Sequence, residues 1–398
     1  MKFLRNLTGA QALLVGLGVA LLAGCGTAIK HQSDEAKFAP PMTELEVQSL
    51  VSNTIEQDVP QLAKKNFTRL ILKRMDFRKA NMRESFFGYT ELPRANLSQA
   101  NLEGAGLPYA DLTYANLRSA VLREAMLRHA DLSGADLSGA DLTGADLTGA
   151  KLERAVLTGA QLQGTILNRA DLTGALIKQV AFEDVALVET NLSKAVFQEV
   201  VFSGVRMERT RFDAADLRGL RLSGVTLDGV SLVGADMRGM DLTRAKLNKA
   251  DLSGADMSGA QLDRAVLIEA KLVNTKLRKA VLTIANFEAA DLRGANLFAV
   301  DAGQAVFSYA NMKDTVCSEA NFSGANLTQT SLQQADLRRA NFSNATLMQA
   351  DFANAKLDDA ELRGSDMRGA NVDGVSLSRV KNLDTVQGLE TIRNYRMR

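Results

Sequence analysis

The sequence predicts a solenoid, a chain that changes direction every five residues around a filled interior. Every fifth position from Leu72 to Leu377 is apolar, which makes 62 positions, and 41 of them are Leu. No insertion or deletion disturbs this period. It is clearest between Ala130 and Gly149, where four pentads read ADLSG, ADLSG, ADLTG and ADLTG. Such regularity is typical of a repeat array.

A five-residue period fits neither an α-helix nor a flat strand. Helix positions five apart lie about 140° apart and share no face, and an odd period sends successive strand side chains to opposite faces. The chain must therefore turn once per pentad. Ala dominates two positions before each central apolar residue and suits a cramped inner position, while Asp, Asn, Ser, Thr and Gly around the centre suit turns. The expected order is inside, outside, inside, outside, outside.

The repeated pentad resembles the signature A(D/N)LXX of the pentapeptide-repeat family over about residues 65–379. This resemblance implies an all-β fold, a right-handed quadrilateral parallel β-helix in which four pentads make one coil of twenty residues. The repeat region would then contain nearly sixteen coils. At about 4.8 Å per stacked strand, the rod would be about 75 Å long.

The pattern weakens between about Leu176 and Val230. Larger residues replace the inner Ala, Arg replaces some of the Asp and Asn, and four Phe residues concentrate there. We predict coils repacked with larger side chains, and a bend or a specialised surface is the alternative. The new inner residues are Val180, Val185, Val200, Val205, Leu220 and Val225.

Residues 1–24 are interpreted as a lipoprotein signal peptide. They begin with a positive charge, and their apolar run is short for a bilayer span. The segment and the next residue read Leu-Ala-Gly24-Cys25, which resembles the lipobox of bacterial lipoproteins. The resemblance implies cleavage between Gly24 and Cys25 and acylation of Cys25, which would anchor the chain to the lipid bilayer. An ordinary signal peptide with a chance Cys is the alternative.

The expected location is the cell envelope. Gly26 follows the Cys instead of Asp, which in a Gram-negative host implies the outer membrane, facing the periplasm. Residues 25–42 would form a lipidated tether. Thr43 and Glu46 have capping-box spacing, so residues 43–64 are predicted to contain a helix that caps the first coil. Packing of this helix onto a partner is the alternative.

The five-residue period fails after Leu377, and residues 380–398 are predicted to form the C-terminal cap. A short helix there would use Val386, Leu389 and Ile392. Cys317 falls on a central position and is expected to be a core residue, so no disulfide framework is predicted.

The composition argues against nucleic-acid binding, metal binding and catalysis. Lys and Arg number 47 against 46 Asp and Glu, so no overall charge attracts nucleic acid or imitates it. The two His residues form no cluster with metal-ligand spacing, and no glycine loop that would bind phosphate is present. Asp recurs with the turn, so no acid–base pair stands out. We therefore expect no catalysis, no cofactor, no metal and no small-molecule substrate.

With twenty residues per coil, one outer face collects apolar side chains. Such a strip is typical of a contact surface, and we hypothesise that four residues near the anchored end dock an unknown protein partner. They are Phe86, Tyr89, Tyr109 and Met126. Scattered apolar exposure is the alternative.

Residues 65–94 carry eight basic and three acidic side chains, which would suit anionic headgroups near the anchor. An ordinary solvated surface is the alternative there.

The function that fits these observations is a rigid structural or protein–protein interaction scaffold anchored to a membrane. The family resemblance also implies a second class, a DNA-mimicking regulator of an enzyme such as gyrase. Such mimics are cytosolic and acidic along the rod. The lipobox and the balanced charge therefore disfavour this class, and no nucleic acid is expected as a partner.

Overall fold

The computed structural model describes residues 39–52, 59–218 and 220–392. Within them the chain winds into a four-sided parallel β-helix. β-Bridges join one residue of most pentads to the residue twenty positions later, from Gln61 with Asn81 to Glu361 with Lys381. Four pentads therefore complete one coil, as the resemblance implied.

The interior is filled by the periodic apolar residues. All central residues from Leu62 to Val372 have at most 8% of their surface exposed, and the inner Ala residues are buried beside them. Equal positions of successive coils stack, so the Phe67 and Phe87 rings lie 4.4 Å apart and nearly parallel. Each such buried side chain contributes about 1.5–3 kcal/mol to the stability of its own and the adjacent coils. The inside–outside order predicted from the pentad is confirmed.

The turns explain the polar residues of the pentad. The backbone amide of Thr113 donates to Asp111 Oδ1 at 2.9 Å, and the same bond recurs in many pentads. The residue two places after each centre has positive φ throughout the described part of 64–374. Gly often fills this corner, but larger residues such as Tyr89 also occupy it. The corners can therefore present side chains to solvent.

Hydroxyl groups occupy some inner positions, a feature that the sequence analysis did not predict. Thr165 Oγ1 donates to the Leu142 carbonyl of the previous coil at 2.8 Å, and Thr190 donates to Leu167 in the same way at 2.7 Å. These two buried hydroxyls are satisfied because the preceding coil places a carbonyl beside each of them.

The described strands of more than one residue lie between positions 176 and 221. They are β1 Leu176–Lys178, β2 Ala181–Glu183, β3 Val196–Gln198, β4 Val200–Ser203 and β5 Leu220–Arg221. β1 pairs with β3, and β4 lies between β2 and β5, all in parallel. The twenty-residue register continues through them, and Phe182 and Phe202 stack 4.9 Å apart. Val180, Val185 and Val200 are at most 2% exposed, so larger side chains point inward at these positions, as predicted, whereas Val205 and Val225 are only partly buried.

A helix, α1 (Glu44–Ser52), covers the first coil. Its predicted capping box is confirmed: the Thr43 amide donates to Glu46 Oε2 at 2.7 Å and the Glu46 amide donates to Thr43 Oγ1 at 3.3 Å. Val47 is fully buried in the core. Glu44 Oε1 accepts the Ile71 amide at 3.1 Å, so the helix satisfies an edge group that has no preceding coil.

The C-terminal cap is formed by short helices, as predicted, but by two 3₁₀ turns in place of one helix. Two 3₁₀ turns, Leu383–Thr385 and Leu389–Thr391, are separated by an extended Val386 and by Gly388 with φ 81°. The last regular coil needs backbone partners at pentad spacing, which a continuous helix would not offer. Gln387 supplies one of them, donating its amide to the Ser365 carbonyl at 2.9 Å. Positions 393–398 lie outside the described residues.

Candidate interaction face

Corner residues twenty positions apart stand above one another in rows along the rod. One of them, here called the tyrosine row, consists of Arg69, Tyr89, Tyr109 and His129. All four have φ between 57° and 60°, the left-handed conformation of the corners. The row therefore exists because the backbone turn repeats in register, and its side chains leave the rod in the same direction.

The rings of the tyrosine row stack along the rod. The Tyr89 and Tyr109 centroids are 5.0 Å apart with planes 3° apart, and His129 stacks on Tyr109 at 5.0 Å and 13°. The Arg69 guanidinium lies 5.7 Å from the Tyr89 centroid. Stacking of this kind adds about 0.5–1.5 kcal/mol per pair. The two tyrosines remain about half exposed, so the row presents rigid ring edges and hydroxyls to solvent.

Phe86 does not belong to the exposed strip, and its prediction as an exposed residue is wrong. Its side chain is 5% exposed because it lies flat over two glycines. A Cβ at Gly88 or at Gly106 would come within 2.7 Å of the Phe86 ring. Phe86 therefore supports the face from below. Met126 is 39% exposed and lies on the other side of Gly106, as an exposed apolar neighbour.

A second row lies one corner further along the chain. Tyr114 is 63% exposed, and the Arg94 guanidinium lies 5.8 Å from its ring centroid. The Tyr114 ring covers Gly134, where a Cβ would meet it at 2.6 Å. Arg69 and His129, which belong to the tyrosine row, and Tyr114, which belongs to the second row, were not predicted from the sequence. Searching all corner positions for aromatic and basic residues twenty apart would have found them.

Several acidic and basic side chains on the rod surface pair within single pentads. Where Arg follows Asp by two positions, the guanidinium returns to the carboxylate: Arg338 Nε and Nη2 donate to Asp336 at 2.8 and 2.6 Å. This hydrogen bond from Arg338 lowers the pKa of Asp336. The same arrangement, with the same direction of the carboxyl pKa, recurs at Asp216–Arg218, Asp236–Arg238, Asp291–Arg293 and Asp366–Arg368.

The pKa of Asp146 is also lowered by hydrogen bonds, which come from its own turn and from Arg128. Burial alone would raise the pKa of Asp146, but hydrogen bonds from Thr148 and Arg128 outweigh it, so the pKa is lowered. Arg128 Nε lies 2.6 Å from Asp146 Oδ2. These carboxylates are parts of turns and surface ion pairs and form no acid–base couple.

The paired carboxylates predict acid sensitivity. A carboxyl group with a lowered folded-state pKa stabilises the fold above its unfolded value of about 3.9 and loses that contribution as pH falls through the folded-state pKa. We expect the urea midpoint to stay constant from about pH 7 to 5 and to fall below about pH 4. Replacing Asp336 and Asp291 by Asn should make the fall of the urea midpoint below about pH 4 less steep. A midpoint at pH 3 equal to that at pH 6 would contradict this expectation.

No group of three or more His, Cys, Asp or Glu side chains in the described residues could hold a metal ion. Cys317 is fully buried, as predicted for a core residue, and burial raises the pKa of its thiol to about 12. A thiol in this state is a packing group and a poor nucleophile.

Gly24 and Cys25, with the whole predicted signal peptide, lie outside the described residues, as does most of the predicted tether. In the part of the chain that the structure describes, no helix combines the length and apolar character needed to cross a bilayer.

The fold and its rows of turns define a class of protein, the right-handed quadrilateral β-helices built from pentads. Comparison with family profiles then identifies the chain: it belongs to the pentapeptide-repeat family. Proteins of this family are generally structural or interaction proteins. The pentapeptide-repeats profile matches residues 66–99, 107–144, 135–174, 260–297, 315–352 and 345–381, and a second profile, the pentapeptide repeat region, matches 175–252.

Solved structures of the family are similar to this chain. HetL from the cyanobacterium Nostoc sp. strain PCC 7120, involved in the regulation of heterocyst differentiation, is 25% identical over 72% of this chain and 97% of its own, with a TM-score of 0.22. Full-length QnrB1, a plasmid-mediated fluoroquinolone resistance protein, is 18% identical over 52% of this chain and 94% of its own, with a TM-score of 0.34. The comparison with curated proteins gave no significant match.

Proposed function

We propose that this protein is a membrane-anchored pentapeptide-repeat lipoprotein that acts as a rigid scaffold for a protein partner and has no catalytic role. The observation that carries the proposal is the tyrosine row, a pre-stacked and half-exposed set of aromatic and basic side chains on a rod with a filled core. Tyr and Arg are enriched at the centres of protein interfaces. Because the rings are already stacked, binding would cost them little conformational entropy.

The partner face consists of Tyr89, Tyr109 and Met126, extended by His129 and Tyr114. Phe86 keeps a supporting role because it fills the space above two glycines. The alternative function, a DNA-mimicking regulator, would require carboxylates free to imitate phosphates. Many carboxylates on this rod instead pair with Arg or Lys, which does not favour that alternative.

The anchor is proposed from the sequence Leu-Ala-Gly24-Cys25. Acylated Cys25 would hold the chain at the cell envelope, in a Gram-negative host on the periplasmic side of the outer membrane. Processing should be blocked by globomycin, and the protein should fractionate with membranes, whereas Cys25→Ser should leave it unacylated. Acylation is read by mass spectrometry of the N-terminal peptide. A mature protein that keeps its first 24 residues would refute the anchor.

The partner face can be tested by proximity labelling from the native protein. Charging the row with Tyr89→Glu and Tyr109→Glu should remove at least one labelled protein without altering the circular dichroism spectrum. Tyr309→Glu is the matched control, because Tyr309 is 58% exposed at the same corner further along the rod, with φ 61°. Identical labelling in the double variant and the wild type would reject this face.

A further inference from the structure

The four corners of the first coil are all basic. Lys64, Arg69, Arg74 and Lys79 have φ between 59° and 60° and exposed side chains, one on each edge of the rod. We call this set the basic collar. The corners of the next coil are Glu84, Tyr89, Arg94 and Gln99, so the uniform charge is confined to the end nearest the N-terminus.

Little of the collar's charge is neutralised within the described residues. Lys64 Nζ lies 3.6 Å from Glu84 Oε2, and the Lys64 side chain is 73% exposed. The Arg69 guanidinium lies over the Tyr89 ring. Neither Arg74 nor Lys79 has a described carboxylate within 4.0 Å. Residues 59–94, which form the first coils, contain nine Lys and Arg against three Asp and Glu.

The helix at this end also carries acid groups, but they are engaged locally. Glu44 accepts the Ile71 amide, and Glu46 closes the capping box with Thr43. The bond to Thr43 lowers the pKa of Glu46. These two carboxylates stabilise the cap, while the side chains of the collar cations are exposed to solvent.

The chain length places this end close to the anchor. The Ala39 carbonyl accepts Asn66 Nδ2 at 2.8 Å, so the described chain begins against the first coil. Fourteen peptide steps from Cys25 to Ala39 span at most about 50 Å, at 3.3–3.6 Å per residue. An acylated Cys25 would therefore keep the collar near the membrane and raise its effective concentration at the surface.

We propose that the basic collar docks the anchored end of the rod onto anionic lipid headgroups of the membrane that holds Cys25. This inference rests on the proposed lipid anchor. Each Lys or Arg near an anionic surface increases partitioning about fivefold, which corresponds to about 1 kcal/mol. Because the cations encircle the end of the rod, the docked rod points away from the surface and leaves the tyrosine row free for its partner.

The test uses the mature chain from residue 25 with Cys25→Ser, so that neither acylation nor the apolar residues 1–24 can mask the contribution of charge. Sedimentation with vesicles of phosphatidylcholine, alone or with about one third phosphatidylglycerol, measures partitioning. The collar variant carries Lys64→Gln, Arg74→Gln and Lys79→Gln, and it leaves Arg69 in the tyrosine row. The matched control carries Lys249→Gln, Arg264→Gln and Lys279→Gln, three distant corners with the same residue types and φ of 56–57°.

We expect the collar variant to lose at least about tenfold in partitioning onto the anionic vesicles, and the control to stay within about twofold of the Cys25→Ser parent. The difference should vanish at about 1 M salt, where the Debye length is about 3 Å. Equal losses in both variants would overturn the proposal, and so would no loss in either. Tighter binding to a short DNA duplex than to the vesicles would also overturn it.

The outcomes separate this inference from the anchor itself. If the collar variant of the Cys25→Ser chain binds vesicles more weakly than the control variant, the collar has lipid affinity. If the native protein is at the same time not acylated, the anchor is refuted and the lipid affinity of the collar still stands. An acylated native protein whose collar and control variants bind alike would refute the collar alone.

Discussion

Replacing Leu137 by Asn is expected to destabilise the rod by about 3–6 kcal/mol. Leu137 is fully buried, so the change removes about 1.5–3 kcal/mol of apolar burial and places an amide where no partner is aimed at it, which costs a further 1–3 kcal/mol or more. The effect should be local, because each coil contacts only its neighbours. Hydrogen exchange should accelerate most in the coil around position 137 and the two adjacent coils.

Ser138→Asn is the matched control for this prediction. It introduces the same side chain one residue later, on the outward-facing side of the pentad, and removes only a surface hydrogen bond from Ser138 Oγ to Asp136. Its unfolding free energy should stay within about 0.5 kcal/mol of the wild type. Equal destabilisation by the two variants in urea unfolding would show that the central positions do not face a core.

Val47→Glu is expected to convert the protein into species larger than the wild type. Val47 is fully buried between α1 and the first coil, and a carboxylate there would detach the helix. Detachment would uncover Leu62 and Phe67 and free the strand edge of the first coil. An uncovered edge is a template for pairing with another chain. Size-exclusion chromatography with light scattering measures the change.

Leu45→Glu provides the comparison for the cap. Leu45 lies on the same helix with 77% of its surface exposed, so the same substitution should leave both mass and stability unchanged. If the two variants both elute with the mass of the wild type, α1 does not protect the end of the rod.

Much of the fold can be predicted from the sequence because Leu dominates the central position of the pentad. The period of five forces a turn per pentad, and the burial of the central residues from Leu62 to Val372 agrees with that argument throughout. The capping box at Thr43 and Glu46 was equally predictable, because it depends on three consecutive peptide units and no distant contact.

Other features depend on neighbours that the pentad alone does not reveal. Phe86 is buried because Gly88 and Gly106, one of them twenty residues away, leave room for its ring. The cap at Gln387 is irregular because it must match the edge of the preceding coil. Tyr114 was missed because its importance comes from Arg94 one coil earlier. In these three cases, contacts between residues on different coils determine the structure, and local sequence preference does not reveal them.

The twenty-residue coil is the central feature of this fold, and disulfide trapping tests it directly. In a Cys25→Ser background, Ser138→Cys and Thr158→Cys place two cysteines at the same position of adjacent coils. Their Cα atoms are about 4.8 Å apart, which lies within the range of Cα separations found in disulfides. Mild oxidation should cross-link this pair within the monomer. Ser138→Cys with Thr148→Cys, ten residues apart on opposite sides, should remain reduced. Cross-linking of the second pair but not the first would contradict the four-sided coil.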